Sequence, residues 1–420
     1  MPMTVPSQRP IDYAHYLPWT RLFRSLRIAT DPRKLLLAAI GLLVFWCGDA
    51  ALSRLPFAPP TDAPPAPPWN AAAPALLLGR DDGLPSQFQV VSHLRSLSQR
   101  VVEPVRPLLA MGGMLVGGEK SWSEVAYLWT RLFWTLAVWS IFGGAIARLA
   151  ALEFARDERG GLVAAVTFSL RRFLSLFSAP LLPIAGILIL SACCAAGGLI
   201  GQIIYIGPWI VAAAWGLFAV AALLVVLSGI ALAVGWPLMV AAVATEDSDA
   251  FDGFSRAFSY LYSRPWLAVW CGLVAITLGM LLVAAVDTLA VTVQAIASRM
   301  VATGMGDAAV DRLHARPPRY FAPVHAGDAT GAITVPARIV SVWLALLATI
   351  AVGFAVSYFW SAATVIYFLL RRADDGTDFD DVWLGEVEDD DLLPLAGIAA
   401  GDQPVVERSH LPTVPPPANV

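Results

Sequence analysis

An ionisable side chain inside a long apolar run is the first place to look for chemistry, because burying its charge is costly and the residue is retained for a reason. Four polar or charged residues sit in such runs. Asp287 is 21 residues past Trp266, about 32 Å along a helix rising ~1.5 Å per residue, which carries it to the outer interface. Arg131, 17 residues before Arg148, falls near the same surface, and Gln202 closes the outer end of an apolar run. Asp49 is the deepest, about two turns inside, with Arg54 as a candidate partner. These spacings fit interfacial anchors and snorkelling side chains. They place no charge at the bilayer midplane, where proton pumps and ion-coupled transporters usually need one.

Catalytic patterns are missing as well. His15, His93, His314, His325 and His410 are scattered over tails and loops, and no HExxH, GxSxG or P-loop pattern occurs. His314 and His325 share a loop with Asp307, Asp311 and Asp328, a spacing that chance supplies readily. Cys47, Cys193, Cys194 and Cys271 all fall in apolar runs with neither CxxC spacing nor a disulfide framework, and read as small packing residues. The expectation is a non-enzyme with no catalytic, cofactor-binding or metal-binding residues and no cofactor.

The elements around these residues are helices long enough to cross a membrane. The chain has 420 residues, 57% hydrophobic and only 14% charged, with a mean hydropathy of +0.66, well outside the balance of a soluble domain. The net charge of −4 comes with no basic block suited to nucleic acid. Six segments hold the ~20 apolar residues a span requires: about 35–55, 125–150, 181–203, 209–243, 266–297 and 339–370. The fold class is therefore all-α, a polytopic membrane bundle of about six spans. Residues 1–34 precede the first run without the short basic start of a cleavable leader, so that run reads as a retained span. The fourth run contains Pro237, which removes a helix hydrogen bond; a kink is expected there, with 238–244 leaving along the cytoplasmic interface.

Basic residues set the orientation. Arg21, Arg24, Arg27, Arg33 and Lys34 precede the first span, Arg148, Arg156 and Arg159 follow the second, Arg171 and Arg172 precede the third, and Arg371-Arg372 close the sixth. The positive-inside rule puts both termini in the cytoplasm, and the expected location is a bacterial inner membrane. The outer segment 56–124 opens Pro-rich, then shows Val90, Leu94, Leu97, Val101 and Val105 at helical spacing. That predicts an amphipathic helix which lies on the outer surface or caps the bundle. The second outer segment, 298–338, reads as poorly regular, and the acidic, Pro-rich tail 373–420 as disordered.

A repeat organises the chain. Phe173-Leu-Ser-Leu-Phe-Ser-Ala-Pro180 and Phe258-Ser-Tyr-Leu-Tyr-Ser-Arg-Pro265 both read F-x-x-L-[FY]-S-x-P, 85 residues apart. Each ends a short stripe (Leu162, Val166, Leu170, Phe173, Phe177; Phe251, Phe254, Phe258, Leu261, Tyr262) that opens on acids and closes on arginine, as the helix dipole favours. Each predicts an interfacial cytoplasmic helix that the proline turns into the membrane. A weaker third copy, Trp19, Phe23 and Leu26 with Arg21, Arg24 and Arg27, ends at Asp31-Pro32, and the second, fourth and sixth spans all run into acids. The units expected are a segment 1–34 with a juxtamembrane helix, a first hairpin 35–150, interfacial helix plus second hairpin 151–244, and interfacial helix plus third hairpin 245–372. Being entered from one side, they are parallel repeats.

The stretch Met239–Trp266, in which a span ends in an acid and is followed by an amphipathic helix and a basic-aromatic entry, resembles many bacterial multi-pass proteins of uncharacterised function. It is similar too to the membrane region found beside some glycerophosphodiester phosphodiesterases. Thr364–Arg372 resembles their closing motif. The resemblance covers about 145–380 and implies a fold type; no phosphodiesterase catalytic domain is present and that activity is not implied. Two roles remain open. One is a non-enzymatic protein that organises lipids or partners; the other is a permease or lipid transporter for a neutral or amphipathic substrate. Beyond the bilayer itself, Arg171, Arg172, Arg256 and Arg264 are the residues expected to meet anionic headgroups, unless they only signal topology. Gly197 and Gly201, and Ser140 and Gly144, mark close helix approaches, within the chain or in a dimer.

Overall fold

A computed structural model describes residues 18–58, 87–108, 121–314 and 335–383. The chain divides into a compact unit, Met1–Val382, and a segment Trp383–Val420. The compact unit is all-α, with no strand among the described residues. A 3-10 turn, Pro18–Phe23, leads into α1 (Arg24–Ala29) and α2 (Pro32–Leu52). Then come α3 (Gln87–Val101), α4 (Trp122–Arg156), α5 (Leu162–Arg171), α6 (Phe173–Ser178), α7 (Leu181–Ile200) and α8 (Gly207–Glu246). The last are α9 (Ala250–Ser263), α10 (Pro265–Met305), α11 (Asp307–His314) and α12 (Val335–Asp375). Among the described residues, six helical segments are long and apolar enough to span: α2, α4, α6–α7 together, α8, α10 and α12. The chain is thus a multi-pass membrane protein. The end of the bundle carrying Pro32, Arg156, Glu246, Pro265 and Asp375 is termed proximal, the other distal.

Local chemistry explains where the helices begin and end. Asp31, extended, accepts from the Arg33 N–H at 3.0 Å, with Pro32 in the first helical position of α2, where its missing N–H costs nothing. Ser121 and Asp249 cap α4 and α9 in the same way. The three return spans stop alike. Asp157 after α4 and Asp247 after α8 both have φ of 54°, and Gly376 after α12 has φ of 72°. A left-handed residue breaks the helix and turns the chain back on itself. We group the helices by these stops into three units: α1–α2–α4, α5–α6–α7–α8 and α9–α10–α12.

Burial within the second hairpin is uneven. In α7 and the distal part of α8, apolar side chains stand exposed nearly all round, Trp209 at 78% and Leu217 at 70% among them, and α7 packs chiefly on α8. The proximal part of α8 is the reverse, buried without a break from Gly235 to Thr245 and packed on α4, α9 and α12. This corrects the expectation that 238–244 lie along the interface. The helix runs on through Pro237 to Glu246, because Trp236 seats edge-on against Trp360 at 5.5 Å and the small residues Ala241, Ala242 and Ala244 admit close neighbours. Trp139, at 6.2 Å from Trp360, completes a fully buried tryptophan cluster. It lies roughly 15–25 Å above the proximal ends of these helices at ~1.5 Å per residue, near mid-depth.

The loops and tail are more ordered than their composition suggests. Helix α3 packs on α10 and α12 with Leu97 and Val101 buried, so it caps the bundle. Helix α10 continues to Met305 and α11 follows, so 298–314 is helical rather than irregular. Helix α12 extends to Asp375, and Val382 is buried with Leu22, Ile28, Phe154 and Phe368. The tail is therefore ordered at least to 382, contrary to the reading of 373–420 as disordered, because Phe379 and Val382 supply apolar anchors within an acidic run. The remainder of that segment, and most of the Pro-rich stretch, lie outside the described residues.

Glycine allows the tightest approaches. A Cβ on Gly143 would lie 2.6 Å from Trp360, whereas one on Gly186 meets nothing within 4 Å. Gly143→Ala is expected to destabilise the bundle by about 1–3 kcal/mol in a detergent unfolding titration, and Gly186→Ala to leave the midpoint unchanged.

Candidate functional site

The charged side chains converge on the proximal end. In each unit, acids at the end of the return span reach back to the interfacial segment that opened the same unit. In the first, Arg24 donates to Asp157 at 2.9 Å. In the second, Arg172 grips Asp247 through the Nε–Nη2 edge of its guanidinium, Nε–Oδ1 at 2.5 Å and Nη2–Oδ2 at 2.6 Å, with Arg171 at 3.5 Å. In the third, the Tyr260 hydroxyl donates to Asp375, and Arg264 stands 3.9 Å from Asp374. Burial and the Asp375 bond hold the Tyr260 phenol above its ordinary pKa, so Tyr260 acts as a neutral donor. The doubled bond to Asp247 raises the Arg172 pKa above its usual value.

A second set of contacts joins the units. Arg148 of α4 donates to the Ala244 carbonyl of α8 at 2.9 Å and stacks over Phe168 of α5 at 4.7 Å. Glu246 accepts from the Tyr367 hydroxyl at 2.5 Å, pairs with Arg256 and stands 3.2 Å from Arg371 Nε. Arg371 also holds Asp381 at 2.6 Å. Phe379 lies under two guanidiniums, Arg21 at 4.0 Å and Arg372 at 4.5 Å, so the start of the tail straps the Pro18–Phe23 turn to α12. Within the first unit, Lys34 is fully buried, pairs with Glu153 and donates to the Ile28 carbonyl at 3.0 Å. Ser357 donates to the Ala29 carbonyl at 2.9 Å. The carbonyls that α1 leaves open at its end are thus met by side chains.

At the distal end Asp49 pairs with Arg131 at 2.7 Å rather than with Arg54, and Asp287 pairs with Arg100 of α3. Both acids are buried; they pin α2 to α4 and the capping helix to α10. Gln202 lies in the turn between α7 and α8. Gly197 receives Phe218 of α8, and Gly144 receives Leu176 and Ser169, so both small-residue positions serve packing inside the chain. Cys271 is buried, whereas Cys47 and Cys193 are exposed and face outward from the bundle instead of packing within it. No cluster of metal-binding side chains occurs among the described residues; His15, His325, His410 and Asp328 lie outside them.

The four arginines singled out by sequence, Arg171, Arg172, Arg256 and Arg264, all stand beside carboxylates of this frame. Sequence reading missed Lys34–Glu153 and the Glu246–Tyr367–Arg371 group. Glu153 carried a signal, an acid one turn inside a span end where bases are expected; Tyr367 carried none. Among the described residues, a cavity opens at this end. It measures about 260 Å³ and is lined by Phe23, Arg24, Arg27, Ile28, Glu153 and Asp157.

No protein-family model, curated protein or solved structure matches this chain. The fold and its charge frame define an all-α multi-pass membrane protein built from three clasped hairpins.

Glu246 holds the junction of units two and three. Removing its charge leaves Arg371, only 7% exposed, short of a buried partner. Glu246→Gln is expected to cost about 3 kcal/mol in detergent unfolding, and Arg24→Gln, at a solvated pair, less than about 1 kcal/mol.

Proposed function

We propose that the chain is a non-enzymatic protein of a bacterial cytoplasmic membrane, with its proximal end in the cytoplasm, where it organises lipids or partner proteins. The observation that carries this reading is how the charges are used. Lys34, Glu153 and Asp247 are committed to contacts that close their own hairpins, and Arg148, Glu246 and Arg371 to contacts that hold the hairpins to one another. At mid-depth the space between α4, α8 and α12 is closed by Trp139, Trp236 and Trp360. A bundle so fixed suits a scaffold better than a device that alternates its access. The gathering of arginines at the proximal end supports the cytoplasmic orientation. The interfacial stripes support a lipid-facing role: Phe23, Leu170, Leu174, Phe251 and Tyr262 are exposed, while Ala165, Leu176, Gly253 and Ala257 face the core.

One observation favours the transporter reading. The indole N–H groups of Trp236 and Trp360 and the Ser361 hydroxyl are buried without a hydrogen-bond partner, a polar locus that a neutral substrate would satisfy. Reconstitution separates the two. In proteoliposomes carrying a fluorescent phospholipid, bleaching of the outer leaflet is expected to level off at the protein-free value. Bleaching of both leaflets at a rate set by protein content would contradict the scaffold reading and support transport.

A further inference from the structure

The cavity at the proximal end has an unusual lining. Arg24 and Arg27 come from one turn of α1, Glu153 from the last turn of α4 and Asp157 from the left-handed residue that stops it, so its walls carry both signs of charge. The charges differ in how far they are committed. Glu153 is turned to the buried Lys34. Arg24 is bonded to Asp157 at 2.9 Å, but Arg27 approaches it only to 4.0 Å and its side chain is 72% exposed; Asp157 is itself 62% exposed. One guanidinium and one carboxylate therefore face the opening side by side. Phe23, which lines the same cavity, and Leu26 beside it are exposed and provide an apolar footing at the rim.

A simple anion would be met by the two guanidiniums but opposed by the two carboxylates, and a simple cation would meet the reverse. A group with a phosphate and an ammonium a few bonds apart satisfies both. The phosphate takes the charge-assisted N–H bonds of Arg27 and Arg24, and the ammonium donates to Asp157. An ammonium with N–H protons makes those bonds, whereas a quaternary ammonium has none to give.

We propose that this cavity binds a phosphoethanolamine group, with Arg27 and Arg24 on the phosphate, Asp157 on the primary ammonium, and Phe23 and Leu26 against the apolar part of the lipid that carries it. The inference rests on the lipid-binding role proposed for the chain and names its ligand. It is independent of Arg171, Arg172, Arg256 and Arg264, whose carboxylate neighbours are within the protein.

The test uses the full chain in nanodiscs containing equal amounts of phosphatidylethanolamine, phosphatidylcholine and phosphatidylglycerol, with retained lipid read by native mass spectrometry. The wild type is expected to keep phosphatidylethanolamine over phosphatidylcholine by about tenfold, the scale of one charged hydrogen bond. Asp157→Asn suits the left-handed backbone at this position, since asparagine tolerates it, and unfolding titrations establish that it remains folded. It is expected to abolish the preference while phosphate-bearing lipids are still retained. Arg27→Gln is expected to lower retention of all three. Titration with soluble phosphoethanolamine distinguishes the source: Asp157-dependent binding of that compound without lipid retention supports the same chemistry delivered by a soluble ligand. A preference unchanged in Asp157→Asn, or retention indifferent to headgroup in the wild type, overturns the phosphoethanolamine assignment alone. A wild type that retains no lipid and binds no phosphoethanolamine overturns the lipid-binding reading with it.

Discussion

A return span that ends at a membrane surface must stop its helix, turn the chain, and place the charged residues of the turn where they are paired. Here the three solutions are alike. Asp157 and Asp247 take the left-handed conformation themselves, and Gly376 takes it next to Asp375. That geometry turns the following segment back along the membrane edge, and the acid at or beside the turn reaches the interfacial segment that opened its own unit. Burial makes the pairing obligatory. The side chain of Asp247 is 6% exposed, and a carboxylate so enclosed is tolerated only with a matched donor set. The doubled bond from Arg172 supplies it, while the first and third units use the more solvated Arg24 and the neutral Tyr260 donor. Each hairpin is thus closed at the proximal end by contacts of its own.

The packing between units follows from that closure. With their feet fixed, α4, α8 and α12 converge on the tryptophan cluster and on the bolts formed by Arg148 and Glu246. Among the described residues nothing comparable restrains the distal part of the second hairpin, whose apolar side chains remain outward, as lipid-facing surface should. The design concentrates stability at one membrane surface. It leaves α1, with the solvated members of its charge set, as the place we propose for a headgroup.

Much of this was legible in the sequence, and the reasons differ by element. The six spans follow from length and apolarity alone. The repeat was visible because F-x-x-L-[FY]-S-x-P encodes an interfacial helix and its proline exit, features set within a few residues. The αL stops were half visible, as acids following each return span. The hidden features were those that depend on residues far apart in the chain. Lys34 looks like one more topology-setting base until Glu153 arrives from 119 residues away. Asp49 was given Arg54 as a neighbour in sequence, but its partner is Arg131 on the facing helix. Pro237 argued for a departure from the bundle, yet packing around Trp236 overrides the local preference. The tail was misread because acidic composition outweighed Phe379 and Val382, two apolar residues that find a prepared site.

The frame stands or falls on whether the clasp between a return span and its own interfacial segment is an energetic link. A double-mutant cycle on Arg172→Gln and Asp247→Asn, with unfolding in detergent as the readout, measures it directly. The predicted coupling is at least about 1 kcal/mol, as expected for a doubled, partly buried ion pair. Single changes whose costs simply add would contradict it, and the three-unit frame would then owe its stability to apolar packing alone.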